Sequence, residues 1–204
     1  MTSQNDLLTI SEAAAVAGVT VRDVNRVIDE HIVPEGLYSV KGGRWLKAGA
    51  CTFVRFYFGA ADKLTADERL HVIYTLSTAE TRRWTYNEDF LTVHLEQFFE
   101  ATQAAHDKLI QARELIIEDP EILGGTPIIR GTRVPVYDIA ASIAAGVSPD
   151  RLKAAYPGLT ETQIELATLY AEANPLRGRP RGAGAMSSDL RLITERKVRR
   201  RPRA

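Results

Sequence analysis

The chain has 204 residues and 22.6 kDa, with 45% apolar and 25% charged residues, a composition that excludes collagen, coiled-coil rods and fully disordered chains. Its longest nearly apolar stretch, residues 139–147, is far short of the about 20 residues of a membrane span, and the N-terminus lacks a signal-peptide pattern, so we expect a cytoplasmic protein without membrane contact. The net charge of zero divides into +8 for residues 176–204 (ten basic, two acidic) and −8 for the rest, which predicts a polyanionic partner for the C-terminal tail.

The first 60 residues predict a winged helix-turn-helix. Thr9 and Thr20 each precede an acidic residue by three positions, which is the spacing of a helix N-terminal capping box, and Gly18 separates the two segments. The β-prone runs on either side of a Gly-Gly pair in residues 37–46 predict a hairpin. A hairpin that directly follows two short helices is the winged arrangement, over residues 7–60.

This unit contains the candidate DNA contacts. Arg22 and Arg26 are four residues apart on the second predicted helix, so both face one side, and Arg and Asn are the residue types that read guanine and adenine. Basic residues at the hairpin tip are placed to reach phosphates. The candidate DNA-binding residues are Arg22, Asn25, Arg26, Lys41 and Arg44. The alternative is a surface hairpin with solvated charges.

The middle of the chain predicts more helix. Residues 47–61, 66–76 and 95–116 have helical patterns, and residues 84–94 predict a hairpin about Asn87-Glu88-Asp89. The long third helix is a candidate surface for a homodimer, the common state of helix-turn-helix regulators.

Residues 117–135 combine Gly and Pro with β-branched residues and predict tight turns and short strands, in which we expect Arg130 and Arg133 to pair with Glu or Asp of the same domain. Helices are then predicted at 136–145, from Ser148, and from Thr160 to Ala173, giving a second helix-turn-helix. The last helix carries Glu161, Glu165 and Glu172 without Lys or Arg, so we assign it to packing or dimerisation and favour the N-terminal unit as the DNA reader. The fold class is mainly α with small β-hairpins.

The stretch Asp119–Val136, with Ser148-Pro149 and Tyr156–Thr160, resembles the domain-of-unknown-function 433 family, which is associated with VapB-like antitoxins. Residues 7–60 look more loosely like a MerR-type winged helix. The resemblance implies a type II antitoxin that binds its own promoter and blocks a PIN-domain, VapC-like ribonuclease toxin, without catalysis or cofactor of its own. The domains predicted are a winged helix (1–80), a connecting hairpin and helix (81–114), the antitoxin-family domain (115–175) and a basic tail (176–204).

Three features of the sequence could suggest a metal, nucleophile or phosphate site. The four histidines have no partner at metal-site spacing, so no metal is expected. Cys51 lies among apolar residues and is expected to be buried. The glycines at 124, 125 and 131 invite a phosphate-loop interpretation, but the lysine of that motif is missing, so we expect turns. An enzyme is therefore the weakest alternative.

The tail is the predicted toxin-binding segment, because apolar anchors alternate with arginines there and an arginine fork can bridge the carboxylates of a nuclease site. The residues are Leu190, Arg191, Leu192, Ile193, Arg196, Val198, Arg199, Arg200 and Arg201, of which Arg191 or Arg196 is expected to enter the toxin's active site. Two alternatives stay open: a tail that binds DNA, and a stand-alone MerR-like regulator without a toxin.

Overall fold

The computed structural model describes residues 6–79, 81–86 and 91–176, and this part of the chain is mainly helical. The helices are α1 (Ile10–Ala17), α2 (Val21–Asp29), α3 (Ala50–Gly59), α4 (Ala66–Ser77), α5 (Glu96–Leu115), α6 (Val136–Ala144), α7 (Pro149–Ala155) and α8 (Glu161–Ala173). The strands are β1 (Leu7–Thr9), β2 (Tyr38–Ser39), β3 (Trp45–Lys47), β4 (Arg83–Tyr86), β5 (Leu91–His94), β6 (Ile116–Ile117) and β7 (Ile128–Ile129).

Four helices begin at a threonine that caps them. Thr9, Thr20, Thr65 and Thr160 each accept a hydrogen bond from the backbone N–H three residues on, and that residue's side chain accepts one from the threonine N–H. This reciprocal pairing satisfies two backbone donors that a helix start leaves without partners. The capping positions predicted from sequence are therefore confirmed.

The first hydrophobic core is built from α1 to α4 and a three-stranded antiparallel sheet. The sheet has the order β1-β3-β2, with Leu8 opposite Leu46 in the register. Helix α3 supplies Phe56, the largest side chain that is fully buried in the described residues, and its ring meets the Phe98 ring of α5 edge-on at 5.5 Å. Leu109 of α5 and Ala173 of α8 complete this core, so it recruits helices from the C-terminal half.

A second, smaller core lies under α6, α7 and α8. It contains Ile129, Ile139, Leu152 and Ile164, all buried, with the two-stranded ladder β6–β7 along one side. Between these strands, residues 118–127 make turns in which Gly124 and Gly125 have positive φ. The short strands and turns predicted for residues 117–135 are thus confirmed.

Helix α8 joins the two cores, because it packs against α6, α5 and α1. An ion pair lies at the same junction: Arg113 donates to Glu12 Oε1 through Nε at 3.1 Å and Nη2 at 2.7 Å. The other carboxylate oxygen of Glu12 accepts from the Thr9 N–H at 2.9 Å. The Glu12 side chain is only 5% exposed, so one buried carboxylate both caps α1 and holds the end of α5.

Two local predictions need correction. The helix predicted from Lys47 begins at Ala50, because Trp45–Lys47 form the central strand β3 and pair with β1, a strand that the sequence did not indicate. Arg130 was expected to pair with a carboxylate, whereas its guanidinium donates to the backbone oxygen of Glu114, at the end of α5. The arginine satisfies a terminal helix carbonyl instead of neutralising a charge. In the part of the chain that the structure describes, no helix is long and apolar enough to cross a membrane.

Candidate nucleic-acid interface

Helices α1 and α2 are joined by a tight turn at Gly18, which has φ +67°. Arg55 approaches this turn closely: its Nη1 lies 2.6 Å from the position that a Cβ would take and donates to the Ala17 carbonyl at 3.3 Å. Beyond the turn, α2 buries Val24, Val27 and Ile28 against the core and turns its opposite side outward. The sequence therefore fixes which face of α2 is available to a partner.

The hairpin between β2 and β3 is tied to this outward face of α2. Arg44 donates through Nη1 to Asn25 Oδ1 at 2.9 Å and through Nη2 to Asp29 Oδ1 at 2.7 Å. The Asp29 hydrogen bond and charge raise the pKa of Arg44. One guanidinium thus connects the hairpin to two successive turns of the helix.

Asn25 has both ends of its amide engaged. Its Nδ2 donates to the Val21 carbonyl at 3.0 Å while its Oδ1 accepts from Arg44. A bidentate contact to adenine needs the same donor and acceptor. In this conformation Asn25 uses one N–H and one oxygen lone pair within the protein, and it positions the hairpin.

The two arginines of α2 differ in their surroundings. Arg26 Nε lies 2.9 Å from both carboxylate oxygens of Glu30, one turn on, and this bond raises the Arg26 pKa. Arg22 is exposed on the first turn of the helix, beside the capping residue Asp23, whose pKa is lowered by its hydrogen bonds from Thr20. The structure brings Arg44 into contact with Asn25, whereas Arg26 pairs with Glu30.

A groove of about 720 Å³ lies between the end of α2 and the hairpin and includes Lys41 and Arg44. Its rim also carries Asp29 and Glu35. The hairpin turn is formed by Gly42 and Gly43, with φ +70° and +129°, a conformation that other residues rarely adopt. The groove therefore offers basic and acidic groups side by side, not a uniformly basic surface.

Helix α8, the corresponding last helix of the second unit, is buried along most of its length. Ile164, Leu166, Ala167, Ala171 and Ala173 are its buried residues. Glu161, Glu165 and Glu172 are exposed, and Glu161 lies 3.6 Å from Lys153 Nζ. An acidic outer face and a buried inner face both make α8 a poor partner for a phosphate backbone.

Of the side chains with reactive chemistry, Cys51 lies apart from this surface, whereas His31 lines its groove. Cys51 is buried between α1 and α3, and burial raises its thiol pKa to about 12, so the nucleophilic thiolate is suppressed at neutral pH. His31 Nδ1 lies 2.8 Å from the Tyr38 hydroxyl, and His71 meets the Trp84 ring edge-on. Within residues 6–79, 81–86 and 91–176, no cluster of three metal-ligating side chains forms.

The predicted toxin-binding residues, from Leu190 to Arg201, lie outside the described residues, as does the turn predicted at residues 87–89. Two features of the described part were not predicted. They are the ion pairs of Arg44 with Asp29 and of Arg26 with Glu30. The i, i+4 spacing of Arg26 and Glu30 was a usable signal.

Comparison with known proteins places the chain in a family. No solved structure matches it. Residues 116–171 match the family described as "Protein of unknown function (DUF433)". A relative with the name "Uncharacterized protein y4eO", from Sinorhizobium fredii (strain NBRC 101917 / NGR234), is 47% identical over 208 residues, which cover 96% of this chain and 94% of that protein. The chain therefore belongs to the same family as y4eO, and its residues 116–171 form a DUF433 segment.

Proposed function

We propose that the protein is a VapB-like antitoxin of a type II toxin–antitoxin system. In this proposal its N-terminal unit is a MerR-like winged helix-turn-helix that binds the protein's own promoter. Its C-terminal tail neutralises a PIN-domain, VapC-like ribonuclease. The protein acts by binding and carries no catalytic site or cofactor of its own.

The observation that carries the DNA-binding half is the attachment of the hairpin to α2 through Arg44. A winged reader needs its hairpin at a fixed distance from the helix that enters the groove, so that both meet the duplex in register. The two hydrogen bonds of Arg44, at 2.9 and 2.7 Å, supply this connection. With the hairpin fixed, Arg22 at the start of α2 and Lys41 near the hairpin turn are exposed for a base and a phosphate respectively.

The charge of the N-terminal unit makes its DNA affinity modest. Residues 6–60 contain six basic and six acidic residues, and both Arg26 and Arg44 are paired with carboxylates. Non-specific DNA affinity comes mostly from neutralised phosphates. The DNA affinity of this unit therefore depends on specific contacts to bases. It also depends on a homodimer, in which two copies of the unit read paired half-sites. A mass near twice 22.6 kDa by light scattering at micromolar concentration is the expected result.

The toxin-neutralising half rests on the tail sequence and on the DUF433 segment. The tail combines +8 net charge with apolar residues such as Leu190 and Ile193, and a segment that only remained in water would have no use for them. Arginines beside apolar anchors suit a nuclease site built from carboxylates, since Arg191 or Arg196 would bridge those carboxylates in place of the metal.

The second candidate is a stand-alone MerR-like regulator whose tail adds non-specific DNA affinity. The excess of positive charge in the tail favours it, because a +8 segment binds any polyanion. In the first candidate function the tail contacts the toxin, and in the second it contacts DNA. Removal of the tail therefore distinguishes the two.

Truncation after Pro175 is the deciding experiment. The full chain and the truncated chain are each expressed with the PIN-domain nuclease from the adjacent gene, and nuclease activity and operator affinity are measured for both. We expect truncation to release the nuclease while operator binding stays largely intact. Neutralisation at equal molar ratio by the truncated chain would overturn the proposal, and loss of operator binding alone would favour the second candidate.

A matched variant separates apolar anchoring from charge. Replacement of Leu190, Leu192, Ile193 and Val198 by serine keeps every basic residue of the tail. If the apolar residues anchor the tail on the toxin, this variant neutralises poorly at any salt concentration. If charge alone acts, it neutralises as well as the full chain at low salt.

A further inference from the structure

The backbone at the end of α8 is held by side-chain hydrogen bonds. Tyr137 of α6 donates through its hydroxyl to the backbone oxygen of Asn174 at 2.7 Å, and the Asn174 side chain donates to the Tyr170 carbonyl at 3.1 Å. Pro175 follows and restricts the backbone further. The position of Leu176, where the described chain ends, is therefore set by contacts with α6 and α8.

Leu176 lies on the wall of a cleft of about 520 Å³ between the two units. The cleft is bounded by the start of α1, the turns before β7, and the ends of α6 and α8. Its polar lining includes Glu118, Tyr137 and Tyr170. One carboxylate and two aromatic side chains thus surround the point where the tail begins.

The Glu118 carboxylate is available for a cation. None of the ion pairs formed between residues of the described chain involves Glu118. Glu118, Tyr137 and Tyr170 line the same cleft, where burial, and then the negative charge of Glu118, raise the pKa of both phenols. A carboxylate beside aromatic rings is the environment that a guanidinium binds best, by a charge-assisted hydrogen bond and by stacking.

The next residue along the chain is Arg177. Consecutive Cα atoms are about 3.8 Å apart, so the residue that follows Leu176 begins within side-chain distance of the cleft wall. We propose that this cleft is a clamp for the base of the tail, in which Arg177 pairs with Glu118 against Tyr137 and Tyr170. The clamp fixes the direction in which the tail leaves the body. It goes beyond the proposed function, because it is an intramolecular site that needs neither toxin nor DNA.

Limited trypsin digestion of the full chain tests the clamp. Trypsin must take the Arg177 side chain into its own pocket to cut the Arg177–Gly178 bond, so a clamped Arg177 is protected. The Arg181–Gly182 bond, four residues on, serves as the reference within the same molecule. The ratio of the two initial cleavage rates, followed by intact-mass spectrometry, measures how much of the time Arg177 is free.

Glu118→Gln should raise this ratio by about threefold to tenfold, the range expected for a partly exposed ion pair with an aromatic contact. Glu118→Lys should raise it at least as far. Glu172→Gln is the matched control: it removes an exposed carboxylate near the end of α8 that does not line the cleft, and it should leave the ratio unchanged.

Three results would each overturn the clamp. Equal ratios for wild type and Glu118→Gln would show that Arg177 does not use the carboxylate. If Glu172→Gln raised the ratio as much as Glu118→Gln, the cause would be general attraction between an acidic body and a basic tail. A ratio that changes with protein concentration would mean that the tail of a second copy fills the cleft. None of these results bears on nuclease neutralisation or operator binding, so the proposed function stands or falls separately.

Discussion

Helix α2 of the N-terminal unit and helix α8 of the DUF433 segment are used in opposite ways. In the N-terminal unit α2 buries only Val24, Val27 and Ile28 and leaves a polar face with Arg22 and Arg26 outside. In the DUF433 segment α8 is enclosed by α6, α5 and α1, and its outer face is acidic. Similar helix-turn-helix patterns in the sequence therefore produce one helix that is free for a partner and one that holds the protein together.

This difference favours a division of labour between the units. A helix that enters a DNA groove must stand clear of its own domain, and α2 does so with a hairpin fixed beside it through Arg44. A helix that completes two hydrophobic cores cannot leave them without exposing both. Under the proposed function, DNA recognition therefore belongs to the first unit and structural coupling to the second.

The largest effect is expected at the junction between the units. Arg113→Met removes the partner of the buried Glu12 carboxylate and should lower the free energy of unfolding by about 3 kcal/mol, because a buried charge is left unpaired. Urea denaturation followed by circular dichroism and tryptophan fluorescence measures it. Coincident transitions at lower urea would show that the units unfold together.

The exposed pair of Arg26 and Glu30 provides the control for this prediction. Both side chains are about half exposed, so Glu30→Gln should change the urea midpoint little. If Arg113→Met behaves like Glu30→Gln, the junction is not a stabilising contact and the coupling assigned to α8 loses its main support.

The second effect tests which helix reads DNA. Arg22→Ala combined with Arg26→Ala should weaken operator binding by about tenfold to a hundredfold, as expected for the loss of arginine contacts to bases. Glu161→Ala combined with Glu165→Ala removes two charges from α8 and should leave specific binding within about twofold. Fluorescence anisotropy with operator and scrambled duplexes measures both. The reverse result would move recognition to the DUF433 segment.

The third prediction concerns how the free energy of unfolding depends on pH through Cys51, which lies in the core between α1 and α3. Burial raises the Cys51 pKa to about 12, whereas an unfolded thiol titrates near 8.5. Between these values the unfolded chain loses a proton that the folded chain keeps, so the stability contributed by the neutral thiol is complete below about pH 8.5 and declines as pH rises. At pH 10 the loss should be about 2 kcal/mol relative to pH 7.

Cys51→Ala isolates this contribution from the other groups that titrate in alkali. The difference in free energy of unfolding between wild type and Cys51→Ala should shrink by that amount from pH 7 to pH 10. A constant difference would show that the thiol is not as buried as the structure has it. Below pH 8.5 the folded protein should also react slowly with thiol reagents.

Local structure was predictable from the sequence where the signals are local. The capping boxes at Thr9 and Thr20 follow from an acidic residue three positions on, and Thr160 was predicted to begin its helix; the structure confirms each of these starts. The mainly α fold class followed from the same helical patterns. The error at the start of α3 has a non-local cause, since Lys47 pairs with Leu7, far back in the chain.

The long-range contacts of the candidate site were out of reach for the same reason. Arg44 meets Asn25 and Asp29 from 19 and 15 residues away, and Arg113 meets Glu12 from 101 residues away. From its residue type and its place at the hairpin tip, Arg44 was predicted to bind phosphate. In the folded protein it contacts Asn25 and Asp29 of α2 instead. One signal was available: Glu12 stands inside the apolar run of α1, and a charge there calls for a buried partner.

The smallest expected effect is on DNA affinity after substitution of Asp29, at the contact between α2 and the hairpin. Asp29 is the carboxylate that holds Arg44 beside α2, and it also places a negative charge where phosphates would approach. Asp29→Asn keeps an oxygen that accepts from Arg44 but removes the charge. We expect binding to any duplex to rise by about threefold at low salt, with the gain disappearing as salt screens it.

Asp29→Ala is the informative partner, because it removes the acceptor as well and frees the hairpin. If the Arg44 bridge positions the hairpin, Asp29→Ala gains the same non-specific affinity yet loses preference for the operator over a scrambled duplex, whereas Asp29→Asn keeps that preference. Equal preference in both variants would show that the bridge has no part in recognition.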